Sequence, residues 1–531
     1  MASRMTLWTL AAGVATAWAA TAGCTGDDPT PAFTAPDADA APDGQATADA
    51  GADANASDGG TFDAGPPPAR GDFTSAITFA MNILDPDPAL VAFDARGNMF
   101  VAFTYAGTST TVAGKTLPTA AAKDVALAKL DPAGAVLWAT AFGGTEDELV
   151  SSIAVDEAGD VVIAGRFTSP TWTFGTTTLT RVGTFSDPFV AKVRGSDGVP
   201  LVAFDYSLAP AAGSQSGGSC TKVFARGARV AVACALRGPA EVPLGAGGVT
   251  AFPAPGVNNT RTVLALLDTT SMKAAWATSV SGTLNELPLD VHIAPQGHVL
   301  ASLVVGSPLA EDPAKTIRIT RKSNVSDTAI VRLSAVDGRA AWAQGFGATG
   351  TEVRVQALAA TANGEVRFAG LLNGSVMMGT VPLASTGRDM LTGVVNGDDG
   401  AVLGAKIYGA TGNTNPDELT TIALDAFGQP FVGGVFSAAF SLDGLNLPSP
   451  AFGTNLLFKT DATGTPLWAK AVTSSAAALD VVGPSLAVDP LTHGVAIGGS
   501  FVGTANFGDG TPVDSANAAT ARSGFVVRRT P

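Results

Sequence analysis

One unit recurs seven times along the body of this chain, and that repetition limits the fold more than any other feature. Each copy contains an apolar segment, a turn with a glycine and a second apolar segment, as in residues 151–167. Glycine suits such a turn because it adopts the positive φ that other residues resist. The turn glycines are Gly97, Gly159, Gly227, Gly297, Gly364, Gly428 and Gly494. Their spacing predicts a repeat architecture.

A second hairpin follows the first in each copy, as in residues 189–207. Two hairpins make a four-stranded antiparallel meander. Val202 and Gly404 begin the last strand of two copies, whereas in four other copies that strand begins with tryptophan. These residues are Trp138, Trp276, Trp342 and Trp468. Because the position tolerates valine and glycine, we interpret these tryptophans as packing residues rather than as a ligand-binding box.

The two ends of the body are incomplete in complementary ways. Residues 73–79 form a last strand with no hairpin before it, and residues 524–529 form a third strand with no fourth after it. The N-terminal strand can therefore complete the last unit, which closes a ring and removes exposed sheet edges. An open solenoid would need a cap at each end instead. We predict that residues 71–531 form an all-β, seven-bladed β-propeller closed by the N-terminal strand.

The first 24 residues have the features of an export signal. Arg4 precedes the uncharged segment 5–20, and small residues lead to Cys24 in the sequence Thr21-Ala-Gly-Cys24. This sequence resembles a bacterial lipobox, although Thr21 replaces the usual leucine. The resemblance implies that Cys24 is acylated, and, since no aspartate follows it directly, that the protein is an outer-membrane lipoprotein facing the periplasm or the exterior. The alternative is an ordinary secretory signal that is cleaved near its alanine-rich end.

Residues 25–70 differ sharply in composition from the rest of the chain. They hold nine aspartates and one arginine, a net charge of −8 out of −15 for the whole chain. Such a segment cannot bury enough apolar surface to offset its ordering entropy, so we predict a disordered linker. The acidic balance argues against a nucleic-acid partner, because phosphate binding needs a basic face.

The repeats resemble the bacterial β-propeller repeats known as SBBP repeats. The segments DVALAKLDPAGAVLWATAFGG, IAVDEAGDVVIAG and DPFVAKV within residues 124–207 carry this resemblance best, and it extends over residues 71–531. That motif implies a fold and no activity. Residues 131–138 and 461–468 are also similar to the D-x-x-G-x-x-x-W core of quinoprotein repeats. Those dehydrogenases usually have eight blades and a vicinal cysteine pair, whereas this sequence shows seven copies and no such pair.

Few residues of the sequence suit catalysis. Its three histidines are His292, His298 and His493, and no metalloprotease, serine-hydrolase or P-loop pattern occurs. We therefore expect a monomeric interaction or scaffolding module rather than an enzyme, without a cofactor, anchored to the membrane and bound to a protein or envelope polymer. A quinoprotein-like enzyme is the alternative. A lectin is less favoured, because the aromatic residue expected to be exposed outside the repeat register is Trp172 alone.

An acidic residue recurs before the first strand of most copies. In a propeller that strand lines the central channel, so residues preceding it lie at one mouth. One hypothesis is a ring of carboxylates that holds a cation or attracts a basic partner. The favoured alternative is that each carboxylate caps a turn or pairs with the neighbouring blade. The positions are Asp85, Asp147, Glu286, Glu352, Asp417 and Asp480.

Two cysteines flank the first hairpin of the third copy. With the turn centred near Gly227, Cys220 and Cys234 fall nearly opposite each other on adjacent strands. In an oxidising compartment this placement predicts a disulfide, worth about 3 kcal/mol for a loop of that length. The alternative is two buried free thiols, since cross-strand disulfide geometry is demanding.

Thiol titration of the mature protein tests the cysteine assignments together. Unfolded without reductant, the chain should show no reactive thiol, because Cys24 is acylated and Cys220 is bonded to Cys234. Reduction before the same assay should yield two thiols per chain. Two reactive thiols before reduction would show that the bridge does not form.

Overall fold

The structure is a computed structural model. It describes residues 70–84, 87–107, 109–183, 185–210, 215–255, 259–280, 285–306, 322, 327–409, 417–448, 454–474, 484–508, 510–515 and 521–531. The export signal with Cys24, nearly all of the predicted linker, Asp85 and Asp480 lie outside these residues. Within the described ranges no helix is long and apolar enough to cross a membrane.

The described chain is all-β and forms seven antiparallel meanders, which we call blades and number in chain order. The first strand, β1 (Phe73–Ala80), belongs to the seventh blade. The first blade contains β2 (Leu90–Phe93), β3 (Met99–Ala106), the short hairpin β4 (Thr111–Val112) and β5 (Lys115–Thr116), β6 (Lys123–Leu130) and β7 (Val136–Phe142). The second contains β8 (Glu148–Val155), β9 (Val161–Phe167), the hairpin β10 (Thr171–Phe174) and β11 (Thr177–Thr180), β12 (Asp187–Val193) and β13 (Pro200–Asp205). The third contains β14 (Gly217–Arg226), β15 (Arg229–Arg237), the hairpin β16 (Ala240–Pro243) and β17 (Val249–Phe252), β18 (Thr260–Asp268) and β19 (Ala274–Val280).

The remaining blades follow the same order. The fourth contains β20 (Leu287–Ile293), β21 (Val299–Val305), β22 (Asp327–Leu333) and β23 (Ala340–Phe346). The fifth contains β24 (Glu352–Ala360), β25 (Glu365–Met378), β26 (Val381–Asn396) and β27 (Val402–Tyr408). The sixth contains β28 (Glu418–Leu424), β29 (Pro430–Phe436), the hairpin β30 (Phe440–Leu442) and β31 (Leu445–Leu447), β32 (Thr454–Thr460) and β33 (Pro466–Ser474). The seventh contains β34 (Ser485–Val488), β35 (Val495–Phe501) and β38 (Ser523–Arg529). The hairpin β36 (Thr504–Asn506) and β37 (Pro512–Asp514) follows β35 in the chain but pairs with β33 of the sixth blade.

The blades close into a ring, which confirms the predicted fold class. Each blade has its first strand inside, and these inner strands contact one another in the order β2, β8, β14, β20, β24, β28 and β34, with β34 touching β2. The strand β1 pairs with β38 from Phe73 opposite Arg529 to Ala80 opposite Ser523. The N–H of Arg70 also donates to the carbonyl of Pro531 at 2.8 Å. The N-terminal strand is therefore the outer strand of the seventh blade.

The first-hairpin turns follow the glycine pattern in six blades and depart from it in the seventh. Gly97 and its five successors have positive φ angles, for example 83° at Gly159. In the seventh blade the residue at positive φ is His493, at 57°, so the assignment of that role to Gly494 is wrong. The reason is turn length: the His493 N–H bonds the Asp489 carbonyl four residues back, whereas Gly97 bonds Asp94 three residues back.

Each recurring tryptophan packs its blade against the following one. Trp138 Nε1 donates to the Gly195 carbonyl at 3.1 Å, in the turn between the third and fourth strands of the second blade. A Cβ on Gly198 in that turn would lie 2.9 Å from the Trp138 ring, so only glycine lets the indole pack there. Trp342 makes the equivalent contact with Gly397 at 2.8 Å. These residues therefore pack between blades, in agreement with their interpretation from sequence.

A buried ion pair recurs inside several blades. It joins an aspartate at the first-hairpin turn to a cation near the end of the third strand. Such a pair is tolerated inside a protein only when both charges are well hydrogen-bonded. The four pairs are Asp94–Lys129 at 3.1 Å, Asp156–Lys192 at 2.7 Å, Asp425–Lys459 at 2.9 Å and Asp489–Arg528 at 2.8 Å.

Trp172 is buried, so the expectation of an exposed loop aromatic is wrong. It lies in β10, where inward and outward side chains alternate, and its ring is fully covered. The ring packs edge-on against Phe189 at a centroid distance of 4.8 Å. Successive side chains of a strand point to opposite faces, and in this short hairpin the face that carries Trp172 packs against its own blade.

Deleting residues 71–79 should cripple folding, because it removes the outer strand of the seventh blade and exposes the edge of β38. We expect a loss of about 3 kcal/mol or more in the free energy of unfolding. Denaturant titration followed by circular dichroism measures this loss. A synthetic peptide of residues 70–80 added to the truncated protein should restore stability, whereas a scrambled peptide should not. A truncated protein as stable as the parent would contradict the closed ring.

Candidate functional site

The central channel has a volume of about 630 Å³ and is lined by the first strand of every blade. Its wall is aliphatic along the first and seventh blades, where residues such as Val91 and Leu486 face it. The third to sixth blades contribute polar and charged groups. These are Lys222, Arg226, Asp290, His292, Gln356, Glu418, Thr420 and Thr421. The channel is therefore chemically asymmetric.

Several polar side chains on this wall bind the free main-chain edge of the next blade. An inner strand has a hydrogen-bonded neighbour on one side only, and its other edge needs partners when it is covered. In three blades a side-chain oxygen accepts the exposed N–H of the following inner strand. The pairs are Ser152 with Val223 at 3.0 Å, Asp290 with Leu358 at 2.7 Å and Ser485 with Val91 at 3.2 Å. These groups hold the ring together.

His292 extends the same pattern. Its Nε2 accepts the N–H of Ala360 at 3.4 Å, and its ring lies against Phe224 at a centroid distance of 3.8 Å. Burial, with the positive charge of Arg226, lowers the pKa of His292 to about 3. The imidazole is therefore neutral at physiological pH and stabilises the wall of the channel. His298 lies at the first-hairpin turn of the same blade and His493 at that of the seventh, two different blades, as the sequence indicated.

A charged network lies where the inner strands of the fifth and sixth blades begin. Glu352 pairs with Arg354 and with Arg388, each at 3.1 Å. Gln356 donates to Glu418 at 3.2 Å. Burial raises the pKa of Glu418, while Arg388 and Arg354 oppose that rise. This mouth of the channel therefore carries both signs of charge.

The described positions of the proposed acidic ring each have partners of their own. Asp147 pairs with Lys123 at 3.3 Å, and Asp417 Oδ1 accepts the N–H and the hydroxyl of Ser437, both at 2.9 Å. Glu352 is held by the two arginines above, and Glu286 is almost fully buried. In the parts of the chain that the structure describes, no three His, Cys, Asp or Glu residues lie close enough to hold a metal ion. With Asp85 and Asp480 outside those parts, the six-membered ring stays a prediction.

Sequence reasoning missed a buried carboxyl pair between the first and second blades. Glu148 is fully buried, its Oε2 accepts the Gly144 N–H at 2.5 Å, and burial raises its pKa to about 7. Burial also raises the pKa of the neighbouring Asp124, whose charge helps raise that of Tyr105 to about 12. Glu148 therefore keeps its proton to a pH well above the range usual for a glutamate.

A repeated aspartate was the signal that could have revealed this pair. Asp124 begins the third strand of its blade, and an aspartate recurs there at Asp187, Asp327 and Asp389. After the fourth strand comes a glycine: a Cβ on Gly143 would lie 2.0 Å from Asp124. In the second blade, burial is the main cause that raises the pKa of Asp205 to about 8, and the negative charge of Asp187 adds to it. These acids lie beside the connections between blades.

The structure joins Cys220 and Cys234 in a disulfide. They lie directly opposite each other on β14 and β15, with their sulfur atoms 2.02 Å apart. The next residue, Thr221, bulges out of the pairing. The bridge therefore ties the inner strand of the third blade to its neighbour.

An apolar patch flanks the other mouth of the channel. Phe427 and Leu491 are 42% and 59% exposed on first-hairpin turns of the sixth and seventh blades. The ring of His493 packs at a tilt against Phe427, with a centroid distance of 5.1 Å. A Cβ on Gly97, in the first blade's turn, would lie 3.0 Å from Leu491. We call Phe427, Leu491 and His493 the mouth patch.

The sequence matches no protein-family model and no curated protein. Solved structures match it at low identity. BamB from Moraxella catarrhalis is 11% identical, with a TM-score of 0.39 over 87% of this chain and 100% of the other. The Dos1 propeller is 10% identical, with a TM-score of 0.39 over 84% and 93%. A quinohemoprotein alcohol dehydrogenase from Pseudomonas putida HK5 is 9% identical, with a TM-score of 0.38 over 85% and 75%.

Glu148→Gln should stabilise the protein at alkaline pH. The folded-state pKa of about 7 lies above the usual 4.5. The wild type is therefore most stable below the lower value and loses stability as the pH rises through the higher one. The variant should unfold with the wild-type free energy near pH 4 and gain roughly 1–2 kcal/mol above pH 7.

Urea titrations from pH 4 to pH 9 measure this difference. The matched control is Glu157→Gln, because Glu157 is an exposed turn residue of the same blade. It should leave the pH profile unchanged. Parallel profiles for the wild type and Glu148→Gln would contradict the elevated pKa.

Proposed function

We propose that this protein is a binding module of the bacterial cell envelope rather than an enzyme, and that the mouth patch contacts a protein partner. The observation that carries the proposal is the exposure of Phe427 and Leu491 on the first-hairpin turns of consecutive blades, which meet where His493 packs against Phe427. Exposed aromatic and aliphatic side chains that adjoin one another mark interaction surfaces, whereas isolated ones are ordinary.

Buried aspartates hold the two turns that carry the mouth patch. Asp425 Oδ1 accepts the Phe427 N–H at 2.9 Å, and Asp489 Oδ1 accepts the Leu491 N–H at 2.9 Å. These two aspartates are the ones in the buried pairs with Lys459 and Arg528. A surface fixed before binding loses less conformational entropy when a partner arrives. The local structure therefore favours recognition by a preformed surface.

The channel wall also favours binding over catalysis. Asp290 and His292 accept main-chain N–H groups of the next blade, so these acceptor atoms stabilise the contact between blades. A general base needs a pKa near the working pH, and that of His292 is about 3. These observations support a scaffold whose specificity comes from its loops.

The membrane attachment in this proposal rests on the N-terminal sequence. The small residues before Cys24 favour acylation at that cysteine, and the acidic segment after it would hold the propeller away from an anionic membrane surface. In this proposal the protein is a monomeric outer-membrane lipoprotein. Mass spectrometry of the mature N-terminus, with Cys24→Ser as control, tests the acylation independently of the partner.

Site-specific photocrosslinking in the native host tests the partner surface. A photoreactive phenylalanine analogue at position 427 or 491 should give the same discrete crosslinked species. The control position is 377, because Met377 is 60% exposed on the outer hairpin of the fifth blade. No adduct at 427 and 491, or the same adducts at all three positions, would overturn the proposed surface.

A further inference from the structure

At two of the boundaries that have a tryptophan, the contact between blades has two parts. The outer strand of one blade supplies an indole, and the turn of the next blade supplies a carbonyl that accepts two donors. The Gly195 carbonyl accepts Trp138 Nε1 at 3.1 Å and Lys129 Nζ at 3.0 Å. The Gly397 carbonyl accepts Trp342 Nε1 at 2.8 Å and an Arg332 guanidinium nitrogen at 2.6 Å. An indole and a cation thus share one oxygen.

The boundary between the fifth and sixth blades has a turn carbonyl and a cation but no indole. The cation, Arg367, comes from the second strand of its blade, whereas Lys129 and Arg332 come from the third. Gly404 stands in the tryptophan register. Arg367 donates to the carbonyl of Ala462, which occupies the place of Gly195 in its turn. A carbonyl oxygen accepts two hydrogen bonds, so this acceptor suits a second donor.

A cavity of about 240 Å³ lies at this boundary. Phe368, Tyr408 and Phe458 form its aromatic walls, and Arg367 and Thr463 add polar groups. A Cβ on Gly404 would meet no atom within 4 Å, and Gly404 is not at positive φ. The backbone therefore does not require glycine there, and a side chain would have room.

The other boundaries that lack tryptophan differ from this one. At the boundary between the second and third blades, Val202 stands in the tryptophan register and packs in one cluster with Met272. Met272 lies in the turn between β18 and β19, at a φ of 54°, and its side chain takes up the room beside Val202. Between the seventh and first blades Ser75 has the register of the indole. The Pro132 carbonyl there accepts an Arg528 guanidinium nitrogen at 2.6 Å. A cavity of about 410 Å³ is lined by Phe93 and by the Asp489–Arg528 ion pair. One aromatic side chain lines that cavity, whereas three line the cavity beside Gly404.

We propose that the cleft beside Gly404 binds a small planar aromatic molecule with a ring N–H, of which indole is the simplest. Its ring packs between Phe368, Tyr408 and Phe458, the guanidinium of Arg367 interacts with its face, and its N–H donates to the Ala462 carbonyl. The volume lies just below the roughly 300–1,000 Å³ of sites for drug-sized ligands, so the ligand is of fragment size. This site is separate from the mouth patch.

Ligand-observed saturation-transfer NMR with free indole tests the proposal on the soluble body. Indole should bind the wild type at one site, and 1-methylindole, which lacks the N–H, should bind at least about fivefold more weakly. Gly404→Trp should weaken indole binding at least about tenfold, because the new side chain takes the place of the ligand. It should also raise the melting temperature by about 2 °C or more, since it fills a cavity.

Matched variants separate this site from the rest of the ring. Ser75→Trp places the same side chain at the seventh-to-first boundary and should leave indole binding unchanged. Gly404→Met, which introduces the side chain that Met272 supplies at its own boundary, is the second blocking variant if Gly404→Trp fails to fold. No saturable binding of indole to the wild type, or unchanged binding in the blocking variants, would overturn the proposal.

Discussion

The ladder of main-chain hydrogen bonds between Phe73–Ala80 and Ser523–Arg529 is the constraint on which the rest of the structure depends. Each blade packs only against its two neighbours, so a ring of blades has no ends once this ladder forms. The channel, both of its mouths and the alignment of the first-hairpin turns follow from that closure. Without it, β38 and β2 would lie at exposed boundaries, and the mouth patch would lose its neighbour at Gly97.

Contacts between blades form a second level of organisation. On the inside, Ser152, Asp290 and Ser485 satisfy the main-chain edge of the following blade. Toward the outside, Trp138, Trp276 and Trp342 bind turn carbonyls of the following blade. Both sets point in the same direction around the ring, from each blade to its successor. Where one member departs from the pattern, as at Gly404, the departure creates a cavity with its own chemistry.

The fold was predictable from sequence because its signals are local and repeated. Closure followed from the unpaired strand at Phe73, and the disulfide position followed from the symmetric placement of Cys220 and Cys234 around one turn. The direction of Trp172 was not predictable, because a short outer hairpin carries too few residues to reveal which face is covered. His493 took the positive φ expected of Gly494 because an extra residue changed the turn type.

The site was less predictable for a different reason. Leu358, which binds Asp290, and Asp124, the carboxyl beside Glu148, lie on other blades. The register between blades is set by packing that no single repeat encodes. Acidic residues before the first strands were visible in sequence, yet their neighbours, such as Arg388 beside Glu352, were not. The recurring aspartate at the start of the third strand was visible too. Its burial, however, depends on the connection to the next blade, where Gly143 lies close against Asp124.

The meeting of Arg70 and Pro531 has a mechanical consequence. Any tension on the chain that precedes Arg70 reaches the ring at the end of β1, the outermost strand of its blade. Force applied there breaks the β1–β38 hydrogen bonds one after another, beginning at the Phe73–Arg529 pair, instead of shearing them together. An unzipping load of this kind makes the closure strand the first element to yield, and the resistance of the disc to pulling is then set by how fast that single strand detaches.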